Sequence, residues 1–397
     1  MGSLTVFPES EAGFVACLAK WLAPDAADFE AKCIKMDENG DVKELSSLLR
    51  TKLIERVAAG SSAAADVQNA YAVLFELLVT WQLFVTQAEA LADELAGSSP
   101  AKQSDAERQL RCALLLSLYG LVQQHGALDL RFALLLRLIQ FCEATDALSQ
   151  VLGPVEERVE RVERWVGEWE LSEAQQKDLW GLVFDAHAAD SRVSYECALK
   201  YFALHEAKDV SSQPALHKRV VQGLLITIRS PELFRCDELS QLGVVQQLEG
   251  DANFQPLHRL LQIMARETYA EFLAFAAESA SKSFMKEHDL PYDALSNKMR
   301  LLTLVSLGHA SKELSYQEIA TALQVNVKDV EVWVMQAIGS GLITAKMDQV
   351  REVVAVSMCA ERDFGKQQWE RLHTSLVDWR DSVTTLLEVL KTARPSA

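Results

Sequence analysis

The stretch Met299–Met358 constrains this chain most, because its apolar pattern changes there from a helical period to strand-like alternation. One helix is predicted by apolar residues that share a face at about 3.6 residues per turn: Leu295, Met299, Leu302 and Val305. Ser315 with Glu318 has the pattern of a capping box and predicts a short second helix. A third amphipathic helix is predicted by Val330, Trp333, Val334, Ala337 and Ile338. Two alternating segments, Ile343–Met347 and Val353–Ser357, then predict a hairpin, so this stretch is predicted to be a winged-helix domain.

The sequence before this domain predicts a series of helices that are joined by short polar segments. Helical runs are predicted at 106–124, 129–149, 155–169, 172–189, 194–207, 215–229, 236–249 and 255–287. Successive helices with short loops and no strand alternation are typical of an α-solenoid of helical hairpins. The fold class is therefore predicted to be mainly α, a solenoid followed by a winged helix. The predicted domains are an N-terminal helical region at 1–105 that ends in the linker Gly97–Asp105, the solenoid at 106–290, the winged helix at 291–358 and a terminal helix with its tail at 359–397.

The terminal helix is predicted to carry an apolar seam that repeats every 3.5 residues. Its members are separated by steps of three and four: Trp369, Leu372, Leu376, Trp379, Val383, Leu386 and Leu390. Such a repeat is the a/d pattern of helices that pack side by side. We expect this seam to be buried either against helices of other chains or against the solenoid or wing of its own chain.

Charge argues against nucleic acid as the partner of the winged helix. The chain has a formal net charge of −17 and a pI of about 5.0. Within Met299–Met358 there are five basic and six acidic residues, a net charge of −1. The predicted recognition helix places Asp329 and Glu331 beside Lys328, whereas readers of DNA need basic side chains for phosphates and base edges. Sequence-specific DNA binding is therefore not expected, and the remaining uses of the wing are contacts with proteins through an unpaired outer strand.

Motifs for catalysis, cofactors and metals are missing from the sequence. There is no G-x-G-x-x-G, no phosphate loop and no G-x-S-x-G, and the eight histidines never occur at the i, i+4 spacing of a helical metal pair. No enzyme, cofactor or metal site is predicted. The seven cysteines form no C-x-x-C pair and lie mostly in apolar helical text, which indicates free thiols in a reducing compartment. Without a signal peptide or a run of ~18 to 20 apolar residues, the protein is expected to be soluble and cytoplasmic, with no membrane contact.

Four strings of residues carry a resemblance to a known family. They are KMRLLTLVSL at Lys298–Leu307, DVE at Asp329–Glu331, KMDQ at Lys346–Gln349 and FGKQQWERL at Phe364–Leu372. Together with the helical array and the winged helix, they resemble the PCI module shared by the proteasome lid, the signalosome and translation initiation factor three. The last string favours the initiation factor, and a signalosome or proteasome-lid subunit is the alternative. A nucleic-acid-binding winged helix is a lesser alternative.

The resemblance implies a non-catalytic scaffold subunit that supports mRNA recruitment and scanning on the small ribosomal subunit through protein–protein contacts. In such assemblies the winged helices stand side by side with their sheets joined, and the terminal helices gather in a bundle. The implied partners are other PCI and MPN subunits, bound through the winged-helix edge and the terminal helix, and the small ribosomal subunit indirectly. Carried over by position, the interface candidates are Val353, Val354, Val356, Trp369, Leu372, Leu376, Trp379, Val383, Leu386 and Leu390.

Overall fold

The computed structural model describes residues 11–23, 27–59, 64–97, 104–125, 128–145, 147–187, 191–250, 254–362 and 365–393. The chain divides into two compact units, Met1–Ala186 and His187–Ala397. Most of the predicted linker at 97–105, the end of the tail and Phe364 lie outside the described residues. Within the described ranges no helix combines the length and the apolar character that a membrane span requires.

The first unit consists of helices in its described part. Their bounds are α1 (Glu11–Leu22), α2 (Ala27–Glu38), α3 (Val42–Ala59), α4 (Ala64–Thr80), α5 (Phe84–Ala96), α6 (Asp105–His125), α7 (Leu128–Ala144), α8 (Ser149–Leu152), α9 (Arg158–Glu168) and α10 (Glu173–Ala186). A 3₁₀ turn at Val155–Glu157 precedes α9. Helix α3 buries one stripe at a four-residue spacing, Leu45, Leu49 and Leu53, while α4 buries eight of its 17 residues, all between Val67 and Leu78. The core of this unit therefore forms around α4.

The second unit begins with further helices and ends with the sheet and a long helix. Its helices are α11 (Ser191–Ala203), α12 (Ala207–Ser212), α13 (Pro214–Arg229), α14 (Asp237–Gln241), α15 (Gly243–Gln246), α16 (Gln255–Arg266), α17 (Tyr269–Ala277), α18 (Ser279–Glu287), α19 (Tyr292–Ala310), α20 (Tyr316–Leu323), α21 (Val330–Gly339) and α22 (Lys366–Ala393). Its strands are β1 (Glu313–Ser315), β2 (Ile343–Asp348) and β3 (Val353–Cys359). The predicted fold class, mainly helical with a winged helix after the helical array, is confirmed.

The predicted single helix at 255–287 is wrong, because three helices, α16, α17 and α18, occupy this stretch. Thr268 caps the start of α17 through a capping box in which the Glu271 carboxylate accepts from the Thr268 amide at 2.6 Å. At the end of α16, the Met264 carbonyl accepts from the guanidinium of Arg362 at 2.8 Å. Both helix ends thus have polar partners, so the chain can stop and restart there without leaving buried groups unsatisfied.

Cations from distant parts of the chain satisfy helix C-termini in both units. In the first unit, Arg56 donates to the Leu22 carbonyl at the end of α1, and Arg111 donates to the Leu95 carbonyl near the end of α5, each at 2.9 Å. In the second unit, Lys298 and Arg362 do the same for α13 and α16. The last carbonyls of a helix lack intrahelical donors and carry the negative end of its dipole, so a cation there is doubly favourable.

The winged helix is built from α19, β1, α20, α21, β2 and β3, and its sheet has the antiparallel order β1-β3-β2. Strand β1 is missing from the sequence prediction. Since β3 is paired on both sides, the interface candidates of Val353–Ser357 lie on the central strand of the sheet, and its edge strands are β1 and β2. Val354 lies opposite both Leu314 of β1 and Met347 of β2, and the exposed edge on the hairpin side of the sheet is β2.

Candidate interaction surfaces of the second unit

The heptad seam lies on the surface of α22. Its members are exposed by between 37% for Val383 and 68% for Trp379, with intermediate values for Trp369, Leu372, Leu376, Leu386 and Leu390. Elsewhere on α22, Val377 is half-buried, and nearly all the other described residues of the helix are exposed. A stripe of seven large apolar side chains in water is costly, since monomeric proteins rarely expose a contiguous apolar patch of this size. The seam therefore has the character of a contact surface, and its burial against other chains stays a prediction.

The segment that leads into α22, here called its root, is fixed to the helical part of the second unit by Arg362. This side chain is buried and donates to the carbonyls of Ile263, Met264 and Glu267 around the end of α16, at 2.8–3.3 Å. It also donates to the Ser306 hydroxyl of α19 at 2.7 Å. Burial lowers the pKa of Arg362 to about 10, which leaves it charged at neutral pH. Arg362 thus holds the chain segment between β3 and α22 in place.

A second contact near this root joins α19 to the end of the sheet. The Nε2 atom of His309 lies 2.9 Å from the Ala360 carbonyl, and the Glu361 carboxylate is 3.7 Å from the same nitrogen. Gly308, the residue before His309, leaves space that Cys359 and Val356 occupy, because a Cβ atom there would lie 2.5 Å from the Cys359 Sγ atom. The sheet, α19 and the start of the terminal segment are therefore closely packed.

Lys298 is a buried cation that caps α13. Its ammonium group donates to the carbonyls of Thr227 at 2.9 Å and Ser230 at 2.8 Å, and lies 3.4 Å from that of Ile228. Burial lowers the pKa of Lys298 to about 8, and the nearby Cys236 raises it slightly. Lys298 belongs to the string Lys298–Leu307 that carries the family resemblance, and its contacts give that string a structural role in joining α19 to α13.

Replacing Lys298 by Met is expected to lower the free energy of unfolding by about 1–3 kcal/mol at pH 7, because three buried carbonyls lose their donor. Between pH 8 and 10.5 the unfolded chain binds more protons at this site than the folded chain, since the folded pKa is the lower one. The stability of the unsubstituted protein relative to Lys298→Met should therefore increase with pH in this window. Denaturant unfolding of both proteins from pH 7 to about 10 measures this difference in stability, with the exposed Lys312→Met as control. A difference that narrows as the pH rises would contradict the lowered pKa of Lys298.

The outward face of α21 is apolar rather than basic. Val332, Met335 and Ile338 are exposed on it, and the Glu331 carboxylate accepts from the Tyr316 hydroxyl at 3.1 Å and from Gln349 of the hairpin turn at 2.9 Å. In DNA-binding winged helices this is the helix that enters the major groove. A carboxylate fixed between this helix and the wing repels phosphates, so the geometry agrees with the low expectation of DNA binding that the charge count gives.

The predicted interface residues of the sheet are placed differently from those of α22. Val354 and Val356 are buried in the core of the winged helix, together with Leu314, Ile319 and Val334, and Val353 is half-buried. Their main-chain groups pair with β1 and β2, so they are not open to a further strand. The edge strands are β1 and β2, which sequence reasoning could not establish because the existence of β1 decides which strand is central.

Metal binding has no support from the described ranges, where no group of three or more His, Cys, Asp or Glu side chains is arranged to hold an ion. The free thiols Cys112 and Cys142 lie 3.5 Å apart between α6 and α7 and are both buried.

Two family profiles match the second unit. Residues 277–358 match the PCI domain, and residues 362–390 match the profile described as eIF3 subunit M, C-terminal helix. The first match covers α18, α19 and the whole winged helix, and the second covers Arg362 and all seven seam residues. The predicted wing and the predicted heptad helix thus coincide with two separately matched segments.

Relatives named eukaryotic translation initiation factor 3 subunit M match a larger part of the chain. The protein of Danio rerio is 26% identical over 341 residues, 84% of this chain and 84% of its own length. That of Dictyostelium discoideum is 29% identical over 290 residues, 72% of this chain and 69% of its own length. The match to the Nematostella vectensis protein is 28% identical over 249 residues and spans 64% of that relative, slightly less than two thirds. The chain therefore contains a segment that matches the PCI domain, and over most of its length it is similar in sequence to subunit M of eukaryotic translation initiation factor 3.

Proposed function

We propose that this chain is a non-catalytic scaffold subunit of eukaryotic translation initiation factor 3. In this role it supports mRNA recruitment and scanning on the small ribosomal subunit through protein–protein contacts, and it acts in the cytoplasm. Its relatives' names and the match of its terminal helix support the initiation factor over the signalosome and the proteasome lid. The non-catalytic part of the proposal is supported by the sequence, which lacks the G-x-G-x-x-G, phosphate-loop and G-x-S-x-G motifs.

The observation that carries the proposal is the exposed seam of α22. Seven apolar residues at a/d spacing lie in water on a helix whose root is anchored by five hydrogen bonds from Arg362. An exposed coiled-coil seam on a helix that follows the anchored Arg362 is suited to joining a bundle of helices from other subunits. The partners in this bundle are other PCI and MPN subunits, and the small ribosomal subunit is reached indirectly.

The edge of β2 supplies the second contact of the proposal. Its outward main-chain groups are available for a neighbouring winged helix to extend the sheet, as unpaired strand edges allow. In this proposal the chain has four parts: an N-terminal helical region at 1–105, a spacer at 106–290, a winged helix at 291–358 that joins sheets, and a helix at 359–397 that joins the bundle.

Mass spectrometry of the intact complex, purified through a tag on the full chain from the cells that express it, tests the proposal. We expect initiation factor 3 subunits with PCI and MPN domains as companions at equal stoichiometry, together with small-ribosomal-subunit proteins at lower recovery. Companions from the signalosome or the proteasome lid would contradict the assignment to the initiation factor. A chain recovered alone would contradict the scaffold role itself.

A further inference from the structure

A groove with an apolar floor opens between α17, α18 and the start of α19. It has a volume of about 600 Å³. Its floor is formed by Leu273, Ala276, Met285 and Leu290, of which Ala276, Met285 and Leu290 are buried. This volume lies within the range of about 300–1,000 Å³ that is typical of binding clefts with mostly apolar linings. The groove lies away from α22 and β2 in sequence and belongs to neither of the contact surfaces described above.

The rim of the groove is polar and carries two cations. Lys282 and Lys286 lie one turn apart on α18 and both line the groove with exposed side chains. Neither ammonium group is in an ion pair with any residue of the described ranges. Asp289 is the only carboxylate among the lining residues, and it sits at the turn after α18. In a chain of net charge −17, this rim is a local positive site.

An aromatic ring closes one side of the groove in a fixed orientation. Tyr292 is 44% exposed and stacks on Phe272, with ring centroids 5.9 Å apart and planes inclined by 25°. Phe272 is itself fully buried, so the exposed ring is held by the core of the unit. A rigid aromatic wall beside an apolar floor is characteristic of sites that receive an anchoring side chain from a protein partner.

We infer that this groove binds an acidic amphipathic helix of another protein. The apolar face of that helix fills the floor between Leu273, Met285 and Tyr292, and its flanking carboxylates pair with Lys282 and Lys286. The two lysines lie one turn apart along α18, a spacing that matches carboxylates at i and i+4 on a partner helix. The pairing of charges sets the orientation of the partner, while apolar burial supplies most of the affinity.

The test uses the full chain and a fluorescein-labelled helical peptide of about 14 residues, roughly four turns. The peptide carries leucines on one face and glutamates beside them, and a second peptide has lysine in place of every glutamate. Fluorescence polarisation should show binding of the glutamate peptide and at least about tenfold weaker binding of the lysine peptide, as expected for losing two charge pairs. The double substitution K282E/K286E should reverse this preference, and Ala277→Trp, which fills the groove from an exposed position, should remove binding of both.

Two control variants and one alternative ligand complete the test. The double substitution K43E/K218E changes the net charge equally at exposed positions elsewhere and should leave binding unchanged. Trp379→Ser should also have no effect, which separates the groove from the seam of α22. Absence of binding by the glutamate peptide, or binding that K282E/K286E and Ala277→Trp leave intact, would overturn the inference. Binding of single-stranded oligouridylate through the two lysines without any peptide binding would overturn it in favour of RNA.

Discussion

Deleting residues 366–397 should release the chain from its complex while the rest of the second unit remains folded. The seam residues are exposed in the isolated chain, so their removal costs the fold little, whereas in a bundle the truncation of a few buried anchors, Trp above all, costs about 2 kcal/mol or more each. Losing several of them weakens binding by far more than about 100-fold, at 1.4 kcal/mol per factor of ten. The measurement is the stoichiometry of the chain in the purified complex, compared with the intact protein, alongside a thermal unfolding curve of the free chain.

A pair of adjacent leucines provides a matched control for this prediction. Leu386 lies in the seam and is 61% exposed, while Leu387 lies beside it, outside the 3.5-residue repeat, and is 51% exposed. Leu386→Ser should lower the stoichiometry markedly, and Leu387→Ser should lower it much less, although both remove the same side chain from the same turn. If the truncated chain still co-purifies at full stoichiometry, or if the two leucine variants behave alike, the seam is not the anchor.

Features encoded by neighbouring residues could be predicted from the sequence. The capping box at Ser315 and Glu318 is present, with the Ser315 amide donating to the carboxylate at 2.9 Å, and the two predicted strands of the hairpin are β2 and β3. The heptad seam is also local, since seven residues on one helix define it. These signals depend on spacing within one or two turns, where the period of the apolar residues decides the structure.

Features that depend on distant residues could not be predicted. Strand β1 has only three residues, and its one buried member, Leu314, is positioned by Val354 forty residues later. A hairpin alone has two equivalent edges, so only the pairing of β1 with β3 decides which of its strands is central. The break after α16 depends in the same way on Arg362, which lies 98 residues from its acceptor Met264. No local pattern reports such pairings.

Replacing Arg362 by Met is expected to cause the largest loss of stability in the second unit, roughly 3–4 kcal/mol in the free energy of unfolding. Four carbonyls and the Ser306 hydroxyl lose their donor, and those of Ile263, Met264 and Leu302 belong to helices packed in the interior. A buried acceptor without a partner costs about 1–3 kcal/mol, and the saving from no longer burying the guanidinium offsets part of the sum. The loss corresponds to a fall of roughly 10 °C in Tm for a unit of this size.

The conservative variant Arg362→Lys separates charge from geometry at this position. A lysine keeps the cation near the end of α16 but cannot reach α16 and α19 together with a planar fork, so it should recover only part of the stability. Arg351→Met removes an exposed arginine of the hairpin turn and should change the unfolding free energy by no more than about 0.5 kcal/mol. Because Arg362 fixes the root of α22, Arg362→Met should also weaken assembly below its melting temperature. Unchanged stability together with full assembly would mean that the terminal helix is positioned by its partners alone.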